Sequence, residues 1–93
     1  MPHVLIIHEV DDYPAWKAVF DDPAQLRREA GERSFQVLRD AGDTGRIVHF
    51  STWTSLDGAR AFFQSPELVE IRARAGVRDP EFLYLQELDA GIL

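Results

Sequence analysis

The sequence predicts an α+β fold with the ferredoxin-like order β-α-β-β-α-β, in which two helices cover one face of a four-stranded antiparallel sheet. Four short runs rich in Val, Ile, Leu, Phe and Tyr have the length and composition of strands. One stretch with apolar residues at helical spacing lies between the first and second of these runs, and another lies between the third and fourth. The strands are apolar on both faces, so the predicted sheet needs a second covering layer. With 93 residues, the chain is expected to form one domain, residues 1–93.

The first half of the predicted fold begins with a central strand, His3–Val10, whose side chains are mostly Val, Leu and Ile. Asp11 or Asp12 can cap the helix that follows, since a short acidic side chain accepts hydrogen bonds from the first turn. Pro23 is expected to kink this helix or to divide it in two, and Gly31 is expected to end it.

Two strands joined by a hairpin come next. Arg33–Asp40 and Arg46–Trp53 are the predicted strands, and Ala41–Gly45, rich in Gly and Asp, is the predicted turn. Thr54 or Ser55 is the expected cap of the second helix.

The second half ends with a helix and a fourth strand. The Ser65-Pro66 pair is expected to break the helix, and Gly76 to close it. Asp79-Pro80 is predicted to turn the chain into the strand Glu81–Leu88.

Composition narrows the classes of partner and chemistry. The net charge of -6 argues against nucleic acid and anionic membranes as partners. The absence of cysteine excludes disulfides, thiol catalysis and zinc–thiolate sites. No apolar run reaches the length of a membrane span, and no basic segment followed by a long apolar one opens the chain. A cytoplasmic location is therefore expected.

The second apolar face of the sheet predicts a homodimer. Two helices leave one face uncovered, and a second copy of the sheet is the simplest layer to cover it. We expect residues 89–93 to reach across to the partner. The residues expected in this contact are Leu5, Ile7, Val48, Phe50, Leu83 and Leu85.

Two histidines on the opposite face are candidate catalytic residues. His49 and Trp53 share one face of the third strand because strand side chains alternate. The first and third strands are neighbours in this fold, which places His8 near His49. Two imidazoles, an indole and the Tyr84 hydroxyl would suit a planar aromatic ligand, on whose phenol an imidazole could act as a general base.

Each of these residues also has a structural interpretation. A strand-end histidine is often hydrogen-bonded within the fold, and Trp16, Trp53 and Phe63 are first of all core residues. Two histidines could hold a metal, but catalytic zinc needs a third protein ligand, and Glu9 points to the face opposite His8. No metal is therefore expected.

The chain resembles the dimeric α/β-barrel superfamily, which includes the antibiotic-biosynthesis monooxygenases and stress-responsive proteins. The resemblance covers nearly the whole chain and is carried by His8-Glu9-Val10-Asp11-Asp12-Tyr13 with Trp16, Trp53-Thr54-Ser55, Phe62-Phe63-Gln64-Ser65-Pro66-Glu67-Leu68, Ala75-Gly76-Val77 and Pro80-Glu81. It implies a dimeric barrel whose Trp53 face meets the helices and lines a cavity. Phe63, Trp16 and Tyr84 are then candidate ligand-binding residues.

The resemblance also implies what the chain lacks. Haem-degrading members use an Asn on the first strand, a Trp ending the third and a His in the second helix. Trp53 matches the Trp and His8 lies near the Asn, but the helix has Arg72 and no histidine. Neither haem nor another cofactor is therefore expected. Quinone-forming members place an Asn four residues before the Trp, where this chain has His49.

Two classes of function follow. One is a cofactor-independent monooxygenase or cyclase-like enzyme acting on a small aromatic molecule. The other is a non-catalytic small-ligand-binding or stress-associated dimer. An enzyme needs an open cavity that reaches His8 or His49, whereas the second class could have both histidines closed off and bonded to the backbone.

Overall fold

The chain forms one sheet of four strands and four short helices. A computed structural model describes all residues, 1–93. Its elements are, in chain order, β1 (His3–Val10), α1 (Tyr13–Asp21), α2 (Ala24–Ala30), β2 (Glu32–Asp40), β3 (Asp43–Trp53), α3 (Leu56–Phe63), α4 (Pro66–Arg74) and β4 (Val77–Leu85).

The sheet has the strand order β2-β3-β1-β4, and every neighbouring pair is antiparallel. Burial alternates along β1 and β3, because one face of the sheet lies under the helices. This arrangement confirms the predicted ferredoxin-like α+β fold. None of its helices has the length and apolarity needed to cross a membrane.

The helix boundaries follow the capping signals of the sequence. The Asp12 carboxylate accepts from the first turn of α1, and the hydroxyl of Ser55 does the same for α3. Pro23 separates α1 from α2, and Ser65 caps α4, which begins at Pro66. Each predicted helix is therefore two helices, since proline cannot donate the backbone hydrogen bond that a continuous helix requires.

Three predicted strand starts were wrong, the first by a single residue, because β2 begins at Glu32. β3 begins at Asp43, because the hairpin turn is only Ala41-Gly42. β4 begins at Val77 and ends at Leu85, three residues before the predicted end, and Asp79-Pro80 does not turn the chain but lies inside the strand as a bulge. Asp79 has a positive φ of 45°, and this irregular backbone takes up the extra residue opposite His8.

A second bulge changes which side chain of β2 faces the helices. Glu32 pairs with Trp53, and Ser34 pairs with Thr52, so Arg33 is the extra residue. Simple alternation from Phe35 and Val37 would direct Arg33 inward. The bulge directs Glu32 inward instead, and its side chain is buried.

The core between sheet and helices has two apolar clusters. One contains Val4, Ile6, Trp53, Ala59 and Phe63, and the other contains Val10, Trp16, Phe20 and Ile47. The opposite face of the sheet stays open to solvent, with Leu38 48% and Leu83 37% exposed. The two sheet faces are therefore both apolar, but only one is covered within the chain.

Gly31 joins α2 to β2 in a conformation that side chains disfavour. Its φ is 126°, and its carbonyl accepts a hydrogen bond from the amide of Thr54 at 2.9 Å. A Cβ at this position would lie 2.6 Å from the Thr54 Oγ1 atom.

We expect Gly31→Ala to lower the free energy of unfolding by about 2–3 kcal/mol, because it combines a strained φ with this clash. Urea unfolding measures the change. Gly91→Ala is the matched control, because nothing lies within 4 Å of a Cβ there. Equal stability of the two variants would contradict this account of the α2–β2 junction.

Candidate functional site

A narrow cavity lies between the sheet and the helices. Its volume is about 50 Å³, enough for roughly three water molecules. Its walls come from α1, α2, α3, α4 and two strands, and they are mostly apolar. The lining residues are Trp16, Val19, Phe20, Pro23, Arg27, His49, Phe63, Leu68, Ile71, Arg72, Ala75 and Val77.

A buried chain of three polar side chains ends at this cavity. The Arg27 Nε donates to Glu32 Oε1 at 2.6 Å, and Glu32 Oε2 lies 2.9 Å from His49 Nε2. An Arg27 Nη1 proton is donated to the carbonyl of Phe20. All three side chains are at most 5% exposed, so these hydrogen bonds have little competition from water.

The Glu32 carboxyl is held as a carboxylate by its two partners. Burial alone would raise its pKa, because the interior disfavours the charged form. The hydrogen bond and charge of His49 and those of Arg27 outweigh burial, and the net pKa lies below its usual value. Glu32 is therefore an acceptor from both sides at neutral pH.

This acceptor determines which nitrogen of His49 is available. A carboxylate accepts only, so Nε2 of His49 carries the hydrogen that it donates to Glu32. In the neutral ring the lone pair is then on Nδ1. His49 lines the cavity, and its ring packs edge-on against Phe20, with centroids 4.9 Å apart. The arrangement is that of a base oriented by a carboxylate.

A second cation lies in the cavity wall. The Arg72 Nη1 donates to the carbonyl of Phe63 at 2.9 Å, and its guanidinium lies 5.0 Å from the ring of Phe82. Burial lowers the pKa of Arg72, but arginine stays charged in proteins at neutral pH. Arg72 can therefore attract an anion that forms in the cavity.

His8 is buried next to the cavity wall without a partner for Nδ1. Its ring lies 5.3 Å from Trp16, and Nδ1 makes no hydrogen bond. Burial, then the charges of His49 and Arg72, lower the pKa of His8 to about 3. His8 is therefore a neutral ring at physiological pH and does not line the cavity.

Trp53 and Tyr84 lie in the other half of the helix–sheet interface. The Trp53 indole is fully buried and donates to Ser51 Oγ at 2.7 Å. Tyr84 lies against Arg60, whose guanidinium is 4.9 Å from the ring, and burial raises the pKa of the phenol. Neither residue lines the cavity.

The structure thus brings Trp16, His49 and Phe63 together around one cavity, with His8 beside Trp16. Sequence reasoning missed Arg27 and Glu32, and it named Arg72 only as the residue in place of the helix histidine. A glutamate directly after the helix-ending Gly31 was the available signal, but its inward direction depends on the bulge at Arg33. No three histidine or carboxylate side chains converge where a metal ion could be held.

Comparison with known proteins identifies the family. The sequence profile of the antibiotic biosynthesis monooxygenases matches residues 11–74, about two thirds of the chain. The chain therefore belongs to the antibiotic biosynthesis monooxygenase family. No curated protein sequence matches it.

Solved structures share the fold at low sequence identity. A Deinococcus radiodurans protein assigned to the antibiotic biosynthesis monooxygenases aligns with a TM-score of 0.74 and 15% identity, over 100% of this chain and 98% of that one. SnoaB, a cofactor-independent oxygenase from Streptomyces nogalater, aligns with a TM-score of 0.74 and 15% identity, over 96% and 93%. A variant of MhuD with two manganese protoporphyrin IX molecules per active site aligns with a TM-score of 0.72 and 20% identity, over 98% of this chain and 99% of that one.

The burial of neutral His8 makes the fold sensitive to mild acid. The folded pKa of about 3 lies below the usual 6.5, so the unfolded chain binds the extra proton between these values. Stability from this source is complete above pH 6.5 and falls as the pH drops. We expect a loss of about 2.5 kcal/mol in the free energy of unfolding between pH 7 and pH 4.5.

His8→Phe should remove this slope, whereas His3→Gln, a change at a partly exposed histidine, should keep it. Urea unfolding at several pH values compares the three proteins. A slope that His8→Phe leaves intact would show that His8 does not titrate in this way.

Proposed function

We propose that this protein oxygenates a small phenolic aromatic molecule without a cofactor, and that His49 is the catalytic base. The observation that carries the proposal is the buried Glu32–His49 pair, which presents an imidazole to an apolar cavity that also contains Arg72. Family membership and likeness to a cofactor-independent oxygenase support it.

The chemistry needs a base and an electrostatic partner. Nδ1 of His49 takes the phenolic proton, and the Arg72 guanidinium stabilises the phenolate that forms. The phenolate is rich enough in electrons for its ring carbon to react with O2. One oxygen atom becomes the new quinone carbonyl, and the other leaves as water with the two hydrogens that the phenol loses.

The apolar walls support an aromatic substrate. Trp16, Phe20 and Phe63 offer ring faces and edges on which a planar molecule can pack. The volume of about 50 Å³ is below the roughly 150 Å³ that holds benzene, so binding requires the walls to move apart. Val19 and Ile71 lie at the less buried side of the cavity, on α1 and α4, which makes separation of these helices the route in.

His8, Trp53 and Tyr84 have secondary places in this proposal. His8 lies beneath Trp16 and would contact only a ligand that displaces that indole. Trp53 packs against Phe63 with ring centroids 5.3 Å apart, and so supports one cavity wall from behind. Tyr84 is in the ligand site only if the widened cavity extends along β4.

The second candidate function is a non-catalytic dimer that binds a small ligand. The small volume of the cavity favours this function, because the cavity of an enzyme that acts on an aromatic molecule would have to widen before the substrate could enter. Against it, the cavity reaches His49, and neither histidine is bonded to a backbone carbonyl as a purely structural pair would be.

We propose that two chains assemble through the helix-free face of the sheet. Leu5, Phe50 and Leu83 lie side by side there in register across three strands, and exposed Leu38 extends the apolar surface. An apolar patch of this kind is usually covered in soluble proteins. The terminal residues Ile92 and Leu93 are exposed and could add contacts with the partner.

Light scattering at micromolar concentration should give twice the 10.6 kDa of one chain. We expect Phe50→Glu to give a monomer, because a charge at the centre of the stacked faces cannot be hydrated. Val69→Glu, at an exposed apolar residue of α4, should remain dimeric. A monomeric wild-type protein would refute the assembly.

The proposed activity is tested by oxygen uptake with a panel of naphthols, in the presence of a chelator. We expect His49→Gln to lower kcat/KM by about 100-fold or more, because general-base catalysis contributes at least that much. His3→Gln should keep wild-type activity, since His3 lies on the other face. Light scattering on this variant checks that the dimer is intact, because the His3 ring stacks on Phe50. Binding without oxygen uptake would favour the non-catalytic function, and equal rates for His49→Gln would exclude His49 as the base.

A further inference from the structure

Arg27 separates the cavity from an outer groove of the protein. Its side chain lines the cavity on one side, and with Glu32 it lines a groove that also contains Arg28, Arg33 and Phe35 on the other. The guanidinium lies 3.9 Å from the ring centre of Phe20, and the side chain is only 5% exposed. It is therefore a buried cation held on several sides.

We propose that Arg27 is a positioning residue that keeps Glu32 ionised and thereby fixes His49 in the tautomer whose Nδ1 is the base. This inference rests on the proposed function for its catalytic meaning. Its structural content, the tautomer of His49, can be measured without a substrate.

The role of Arg27 depends on what Glu32 would do without it. Burial favours the neutral acid, and Arg27 is one of two partners that oppose it. A protonated Glu32 has an O–H to donate, and the nearest acceptor is Nε2 of His49, 2.9 Å from Oε2. The imidazole would then carry its hydrogen on Nδ1, and no lone pair would remain for the substrate.

The geometry of Arg27 also fixes which oxygen serves His49. The Nε of Arg27 donates to Oε1 of Glu32, and its Nη1 donates to the Phe20 carbonyl on α1. The carboxylate therefore cannot rotate without losing a charge-assisted bond, and Oε2 stays directed at the imidazole.

Few other charges act on this pair. Glu32 on β2, Arg27 on α2, Arg72 on α4 and His8 on β1 are the titratable or charged groups near His49. The residues of α1 and α3 that face it are Phe20 and Phe63. His8 is neutral at physiological pH, so Arg27 and Arg72 are the two cations near His49. Arg28 and Arg33 lie along the outer groove beside Glu32, but both are exposed and neither forms an ion pair with it.

The test is NMR spectroscopy of the ring nitrogens of His49 and the carboxyl carbon of Glu32 in the full chain. In the wild-type protein we expect the neutral ring as a single Nε2–H tautomer, and a Glu32 carboxyl whose pKa lies below the usual value of a glutamate. In Arg27→Met, we expect Glu32 to titrate at a pH about one unit or more higher, because a charge partner is lost. Below that pH the ring should change to the Nδ1–H tautomer.

Arg28→Met is the matched control. It removes the same charge from the same helix, but Arg28 is exposed and forms neither a hydrogen bond nor an ion pair with Glu32. It should leave both signals at their wild-type values. The same signals in Arg27→Met and Arg28→Met, or a wild-type ring with its hydrogen on Nδ1, would overturn the proposal.

A second variant decides the matter if Arg27→Met does not fold. Glu32→Gln replaces the carboxylate with an amide of the same shape, which can both donate and accept. We expect a mixture of His49 tautomers and an Arg27 Nε–H proton signal that moves upfield. An unchanged single tautomer in Glu32→Gln would also overturn the proposal.

The kinetic consequence separates this inference from the proposed function. With a naphthol that the wild-type protein oxidises, Arg27→Met should lower kcat more than it changes KM, and activity should recover as pH rises and Glu32 ionises. If no naphthol is oxidised while the tautomer responds as described, the proposed oxygenation fails and the positioning role stands. If the wild-type protein and Arg27→Met both oxidise the naphthol with the same pH profile, the positioning role fails.

Discussion

The buried carboxylate of Glu32 is the constraint on which the rest of this site depends. An isolated carboxylate in such an environment costs several kcal/mol, so it persists only with partners of good geometry. Arg27 and His49 supply them at 2.6 and 2.9 Å. The turn at Gly31 brings α2 back to the start of β2, and the bulge at Arg33 directs the carboxylate inward. These local features of the backbone therefore serve one electrostatic contact.

This contact gives the two faces of the sheet different properties. The helix side contains every buried charge and the cavity, whereas the opposite side offers mainly apolar residues in register. In the proposed function, one face performs chemistry and the other joins two chains. Solved structures share this fold at only 15% identity, so the fold alone does not determine which side chains act.

The element order was predictable from the sequence, and much of the site was not. Periodicity, caps and prolines indicated the strands and the breaks at Pro23 and Ser65-Pro66, because these are local effects. Strand adjacency also placed His8 near His49. The role of Glu32 depends on one extra residue at Arg33, and the start of β4 on a bulge at Asp79-Pro80. Bulges arise from pairing between strands that are distant in sequence, so no local sequence pattern predicts them.

The most direct test of the account is a crystal structure of the protein with a naphthol bound, collected without oxygen. The account predicts that α1 and α4 separate and that the phenolic oxygen lies within hydrogen-bond distance of His49 Nδ1 and near the Arg72 guanidinium. The Glu32–His49 and Glu32–Arg27 hydrogen bonds should remain at their present lengths. A naphthol bound elsewhere, with the cavity closed and His49 Nδ1 bonded to the protein, would contradict it.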